Sequence, residues 1–142
     1  MNYLWRMGRL LAFDYGQKRT GLAETDDLQI IATGLAGLDT HEVIPFVKRY
    51  LEKHQVDAFV VGDPSGLGSD ITHNTGPAHD FAAKLQKTFP SVPVHMVDES
   101  FSSREAMQSM VMGGMKKSKR RDKKILDEVS AAVILRRYMD GR

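Results

Sequence analysis

The sequence predicts an α/β domain: a five-stranded mixed sheet, with three antiparallel meander strands and two parallel ones, flanked by helices. Three observations carry this. Apolar runs rich in β-branched and aromatic residues alternate with stretches of helical period. The first three runs are joined by connections far too short for the crossover that parallel pairing demands. And 142 residues can bury one core but not two independent ones, so a single domain over 1–142 is expected.

The first strand is GRLLAFD, ending at Asp14. Tyr15 to Lys18 is a tight connection to a second strand over Thr20–Glu24, and QIIATGL, from Gln29, reads as the third. From His41 to His54 the residues Val43, Ile44, Val47, Tyr50 and Leu51 recur at three and four, which predicts a helix with Thr40 as N-cap and Pro45 tolerated near its start. AFVVGDP is a buried strand ending at Gly62 and Asp63, followed by the polar, glycine-rich SGLGSDITHN. Asn74 or Thr75 opens a helix that turns Phe81, Ala82 and Leu85 inward and stops before Pro90. PVHMVDE is the fifth strand. Ser102 with Glu105 forms a capping box for a helix reaching Met112, ended by Gly113 and Gly114. A last helix spans Lys124 to Met139. This order of elements is that of the ribonuclease H architecture.

The net charge of +2 conceals a concentration of charge. Seven of the 20 basic residues lie in KKSKRRDKK, from Lys116 to Lys124, and the remainder of the chain is net acidic. Lys116, Lys117, Lys119, Arg120 and Arg121 therefore form a site suited to a polyanion; as a plain alternative, such a run is a solvated loop. Cysteine is absent, which removes disulfides and thiolate metal sites and fits a cytoplasmic setting. His41, His54, His73, His79 and His95 show no zinc-type spacing. Met107, Met110, Met112 and Met115 form a helical stripe best read as packing. No apolar run approaches the roughly 20 residues of a membrane span, so no membrane association is expected. The N-terminal MNYLWRMGRLLAF is interrupted by Arg6 and Arg9 and reads as a lead into a strand rather than a targeting signal.

Three acids stand out by position. Asp14 ends the first strand, with Gly16 just beyond it, where a missing side chain admits close approach of backbone or phosphate. Glu99 directly follows the strand VHMV and Asp98, and Asp127 lies in the first turn of the last helix. Hydrolysis of a phosphodiester needs an activated water and stabilisation of developing negative charge, which two divalent ions about 3.5–4 Å apart can supply. Magnesium takes hard oxygen ligands, so a few carboxylates suffice. Each acid also has an ordinary explanation: a turn cap at Asp14, a helix-dipole acid at Asp127, a solvated strand end at Glu99.

At DYGQKRTGLA, GDPSG, VDESFSS and KKILDEVSAAVILRRYM the chain resembles the YqgF family, described as Holliday junction resolvases and as pre-16S rRNA nucleases. The resemblance extends over nearly the whole chain, with DYGQKRTG its most specific motif. It implies a single ribonuclease H-like nuclease domain over 1–142 and chemistry dependent on a divalent ion, Mg²⁺ or Mn²⁺. Asp14, Glu99 and Asp127 would be the catalytic acids and metal ligands; Gly16, Lys18, Arg19 and the basic loop would contact substrate. The partner implied is nucleic acid, precursor rRNA ahead of branched DNA, acted on by a monomer or homodimer. The chain departs from the family at Gly62-Asp63-Pro64, where Gly-Leu-Pro is usual, and at Ser100, which replaces a basic residue. Asp63 is not expected to join the acids, and whether Asp98 assists them is open. Two other readings stay open, a nucleotide-binding relative of the actin and sugar-kinase folds and a non-catalytic nucleic-acid-binding module.

Overall fold

The computed structural model describes residues 8–63, 76–98, 114, 116 and 122–142. Five strands, β1 (Arg9–Asp14), β2 (Arg19–Thr25), β3 (Ala32–Asp39), β4 (Val56–Asp63) and β5 (Val94–Asp98), form one sheet in the order β3-β2-β1-β4-β5. β1 pairs antiparallel with β2, and β2 with β3; β4 lies parallel to β1, and β5 parallel to β4. The helices are α1 (Val43–Lys53), α2 (Pro77–Thr88) and α3 (Lys123–Gly141). The expected meander, the two parallel strands and the ribonuclease H-like arrangement are all present.

Strand alternation divides the core into two layers. Leu11, Phe13, Leu22, Phe59 and Val61 point to one face, where they pack with Val43, Val47 and Tyr50 of α1 and Phe81 and Leu85 of α2. Leu10, Ala12, Ala23, Ala58 and Val60 point to the other, against Ala131, Ile134 and Leu135 of α3. The first layer is built of large side chains. Phe13 is fully buried and meets Phe59 and Phe81 edge-on at 5.7 and 5.3 Å, so truncating it to alanine should cost about 3–5 kcal/mol. The second layer has no aromatic ring at its centre and is rich in alanine, which lets α3 lie close to the sheet. The limit is reached at Gly21 and its cross-strand partner Gly37, where a Cβ would collide with the backbone of Asp127 and of Lys124.

Local chemistry corrects two of the predicted boundaries. The third strand starts at Ala32 rather than Gln29. The Asp26 carboxylate accepts the backbone N–H groups of Leu28, Ile30 and Ile31 and holds this stretch as a turn, with Gln29 in the left-handed region at φ 56°. These hydrogen bonds, led by that from Ile31, hold the Asp26 carboxyl below its usual value. The first helix starts at Val43 after a 3-10 turn, Thr40–Glu42, and Thr40 does not cap it. The Thr40 hydroxyl instead donates to the carbonyl of Gly16. Pro45 falls in the first turn of α1, where N–H groups have no intrahelical acceptor. α2 opens at Pro77 behind Gly76; Asn74 and Thr75 lie outside the described residues, as do the Ser102–Glu105 capping box and the methionine stripe. α3 is capped by Asp122, whose carboxylate accepts from the N–H groups of Lys124 and Ile125.

Candidate active site

The parallel strands β1, β4 and β5 end at one edge of the sheet, and the first turns of α3 begin beside it. Asp14 is the last residue of β1, and its register partner on β2 is Gly21, the residue on which the Asp127 backbone rests. The strand pairing and the close helix therefore bring the ends of β1 and α3 together. Asp14 and Asp127 line a single cleft of about 440 Å³ with Tyr15, Gly16, Gln17, Lys18 and Arg19. Asp127 is partly buried, and its Oδ2 accepts from Nε of Arg19 at 3.0 Å. Lys18 is exposed at the cleft.

The connection between β1 and β2 is fastened from below. The Gly16 carbonyl accepts from the hydroxyls of Thr40 and Thr20, and the two hydroxyls are themselves 2.9 Å apart. A Cβ at Gly16 would run into the Arg19 carbonyl oxygen, so the tightness of its own turn already requires glycine there. Thr40 is a supporting residue that sequence reasoning assigned to a helix cap. The signal that could have redirected it is weak, since only tertiary folding brings position 40 beneath position 16.

The other acids separate by face. Asp63 is fully buried and continues the Phe59–Val61 alternation toward α2, where its Oδ2 lies 3.3 Å from Nε2 of His79. Asp98 is the register partner of Asp63 and shares that face. Asp14 and Asp127 are on the α3 face, so neither Asp63 nor Asp98 is placed to join them. Glu99 lies outside the described residues, as do Lys117, Lys119, Arg120 and Arg121; Lys116 is exposed. Next to Asp127, Glu128 has its carboxyl pushed above the usual value, first by burial and then by the charge of Asp122.

The donor set suits a hard divalent cation. Two carboxylates share an open, polar cleft with room for a hydrated ion, and the chain has no cysteine thiolate to offer instead. Among the described residues no group of three or more His, Cys, Asp or Glu side chains is assembled.

Comparison with known proteins fits this arrangement. A family model described as RuvX, Holliday junction resolvase, matches residues 8–141. The chain belongs to the RuvX family. RuvX relatives from Porphyromonas gingivalis and Phocaeicola vulgatus, each provisionally named a pre-16S rRNA nuclease, are 46% and 43% identical over 95% and 96% of this chain and 98% of their own length. RuvX membership thus brings the activity class, a nuclease, which is a hydrolase acting on ester bonds. Among solved structures, RuvC of Thermus thermophilus in complex with a Holliday junction aligns with a TM-score of 0.53 at 19% identity, covering 94% of this chain and 95% of that one. At that identity the likeness concerns the fold alone. No helix among the described residues is long and apolar enough to cross a membrane.

Proposed function

We propose that this chain is a divalent-metal-dependent endonuclease of precursor 16S rRNA, trimming its 5′ end in the cytoplasm as a monomer or homodimer. Asp14, Glu99 and Asp127 hold Mg²⁺ or Mn²⁺. The observation that carries the reading is the shared cleft of Asp14 and Asp127, walled by the Lys18–Arg19 pair, in a chain whose full-length relatives are provisionally named for that RNA. Glu99 is assigned as the third acid on the pattern of β5. Val97 packs on the α3 side and Asp98 takes the other, and Glu99 is the residue that directly follows Asp98 in the sequence.

When bound, the ion activates the attacking water and offsets the charge developing on the phosphate. The residues of the chain do the rest. Arg19 fixes the orientation of Asp127 and limits the repulsion between neighbouring carboxylates. Lys18 and the segment Lys116, Lys117, Lys119, Arg120 and Arg121 neutralise backbone phosphates, giving affinity that falls with salt and depends little on sequence. Gly16 keeps the β1–β2 connection tight enough for Asp14 and Arg19 to face the same cleft.

The test compares a 5′ fragment of precursor 16S rRNA with a synthetic four-way DNA junction under identical Mg²⁺. Cleavage of the RNA fragment that disappears in Asp14→Asn is the expected result. Preferential cutting of the junction moves the chain to resolvase activity, and undiminished cleavage by Asp14→Asn removes the proposed site.

A further inference from the structure

The Asp14–Asp127 cleft has a neighbour. A second cleft of about 370 Å³ opens between the start of α1 and the start of α2, and it shares Tyr15 and Gln17 with the first. Its wall is aromatic and held in place from behind. Tyr15 stacks on Phe81 with ring centroids 4.8 Å apart and planes inclined by 26°, and Phe81 meets the buried Phe13 edge-on at 5.3 Å. The Tyr15 ring is thus the outermost member of an aromatic series rooted in the core, and it loses little freedom when a ligand packs on it. Ile44 extends the apolar surface, while Gln17, Asp80 and Lys84 bring an amide, a carboxylate and an ammonium group to the exposed rim.

An apolar slot of a few hundred Å³ with a small number of convergent polar groups suits a planar heteroaromatic ligand. Proteins that read unpaired strands do so by stacking bases on aromatic side chains and hydrogen-bonding their edges. The proposed phosphate chemistry leaves this cleft unused. Its position is informative: Tyr15 follows Asp14 directly in the chain and walls both clefts, so a strand whose phosphate lies at Asp14 has a neighbouring base within reach of this slot.

Resting on the nuclease reading, we infer that the cleft between α1 and α2 is a subsite for one unpaired nucleobase next to the phosphate held at Asp14. A base stacked in a duplex cannot enter it, so the subsite directs cleavage to unpaired positions.

The test uses the whole chain and short fluorescent single-stranded RNA with Ca²⁺ in place of Mg²⁺, read by anisotropy, so that a divalent ion holds the phosphate at Asp14 while turnover is suppressed. An abasic nucleotide is moved along the probe one position at a time. Wild-type protein is expected to bind roughly tenfold more weakly when the abasic site occupies one particular position. That penalty is expected to vanish in Tyr15→Leu and to persist in Tyr15→Phe, which retains the stacking face. Failure to bind, a flat abasic profile in the wild type, or an equal penalty in Tyr15→Leu overturns the inference. The wild-type scan requires no variant to fold. The nuclease reading is judged separately, by Mg²⁺-dependent cleavage in the same preparation, so the two can fail independently.

Discussion

Asp14 and Asp63 stand at the ends of neighbouring parallel strands, one pairing step apart, yet they meet opposite environments. Asp14 is partly exposed in a cleft on the α3 face, with Asp127 and two basic residues. Asp63 is sealed on the other face against His79 of α2. The alternation of strand side chains decides which carboxylate can meet an ion and which becomes a structural pair. Layer composition reinforces the difference. Alanines and glycines on one side let α3 lie close enough to deliver Asp127, while Phe13, Phe59 and Phe81 fill the other side, where Asp63 is fully buried.

The largest expected effect lies on the α3 face. Asp14→Asn should lower cleavage by roughly a thousandfold or more, about 4 kcal/mol of transition-state stabilisation, with little change in the denaturation midpoint. Asp63→Asn should show the reverse. Altering this fully buried polar side chain should cost about 1–3 kcal/mol in urea unfolding and leave metal-dependent cleavage in place at temperatures where the chain is folded. Equal losses of activity in the two variants would erase the distinction between the faces.

Charge sharpens the comparison further. Because the basic segment runs directly into α3, replacing Lys116, Lys117, Lys119, Arg120 and Arg121 by glutamine should flatten the salt dependence of RNA binding. The log–log slope should fall by about 0.7 for each lost phosphate contact on single strands, measured by titration at several salt concentrations.

The smallest effect concerns Glu128, beside Asp127. Its carboxyl is raised from the ordinary 4.5, mainly by burial, so folding favours its protonated form. The associated destabilisation is absent below pH 4.5, grows as pH rises through the folded-state value and is constant above it. Glu128→Gln should therefore stabilise the chain at pH 7 and have no such benefit at pH 4, as read from unfolding midpoints at the two pH values.

Much of the fold could be read from residue order alone. The short connections after Asp14 and after Glu24 required antiparallel pairing, and the periodicity of Val43, Val47 and Tyr50 marked the buried face of α1. Asp14 and Asp127 are ordinary turn and helix-start acids taken singly; their placement, the adjacent basic segment and the family motif together single them out, and strand pairing brings those two ends to one cleft. What could not be read depended on side-chain hydrogen bonds, some local and some distant, that compete with the regular elements. The Asp26 carboxylate takes the N–H groups that would have extended the third strand to Gln29, and no propensity scale anticipates that competition. Thr40 resembles an N-cap until folding places Gly16 above it. Gly21 and Gly37 carry no sequence signal of their own, and their value is apparent only once α3 rests on them.

The most direct measurement is Mn²⁺ binding, followed by calorimetry or electron paramagnetic resonance, in Asp14→Asn and Asp63→Asn under conditions where both remain folded. The expected result is loss of binding in Asp14→Asn and wild-type binding in Asp63→Asn. Retention of the ion by Asp14→Asn, or its loss from Asp63→Asn, would contradict the assignment of the metal to the α3 face.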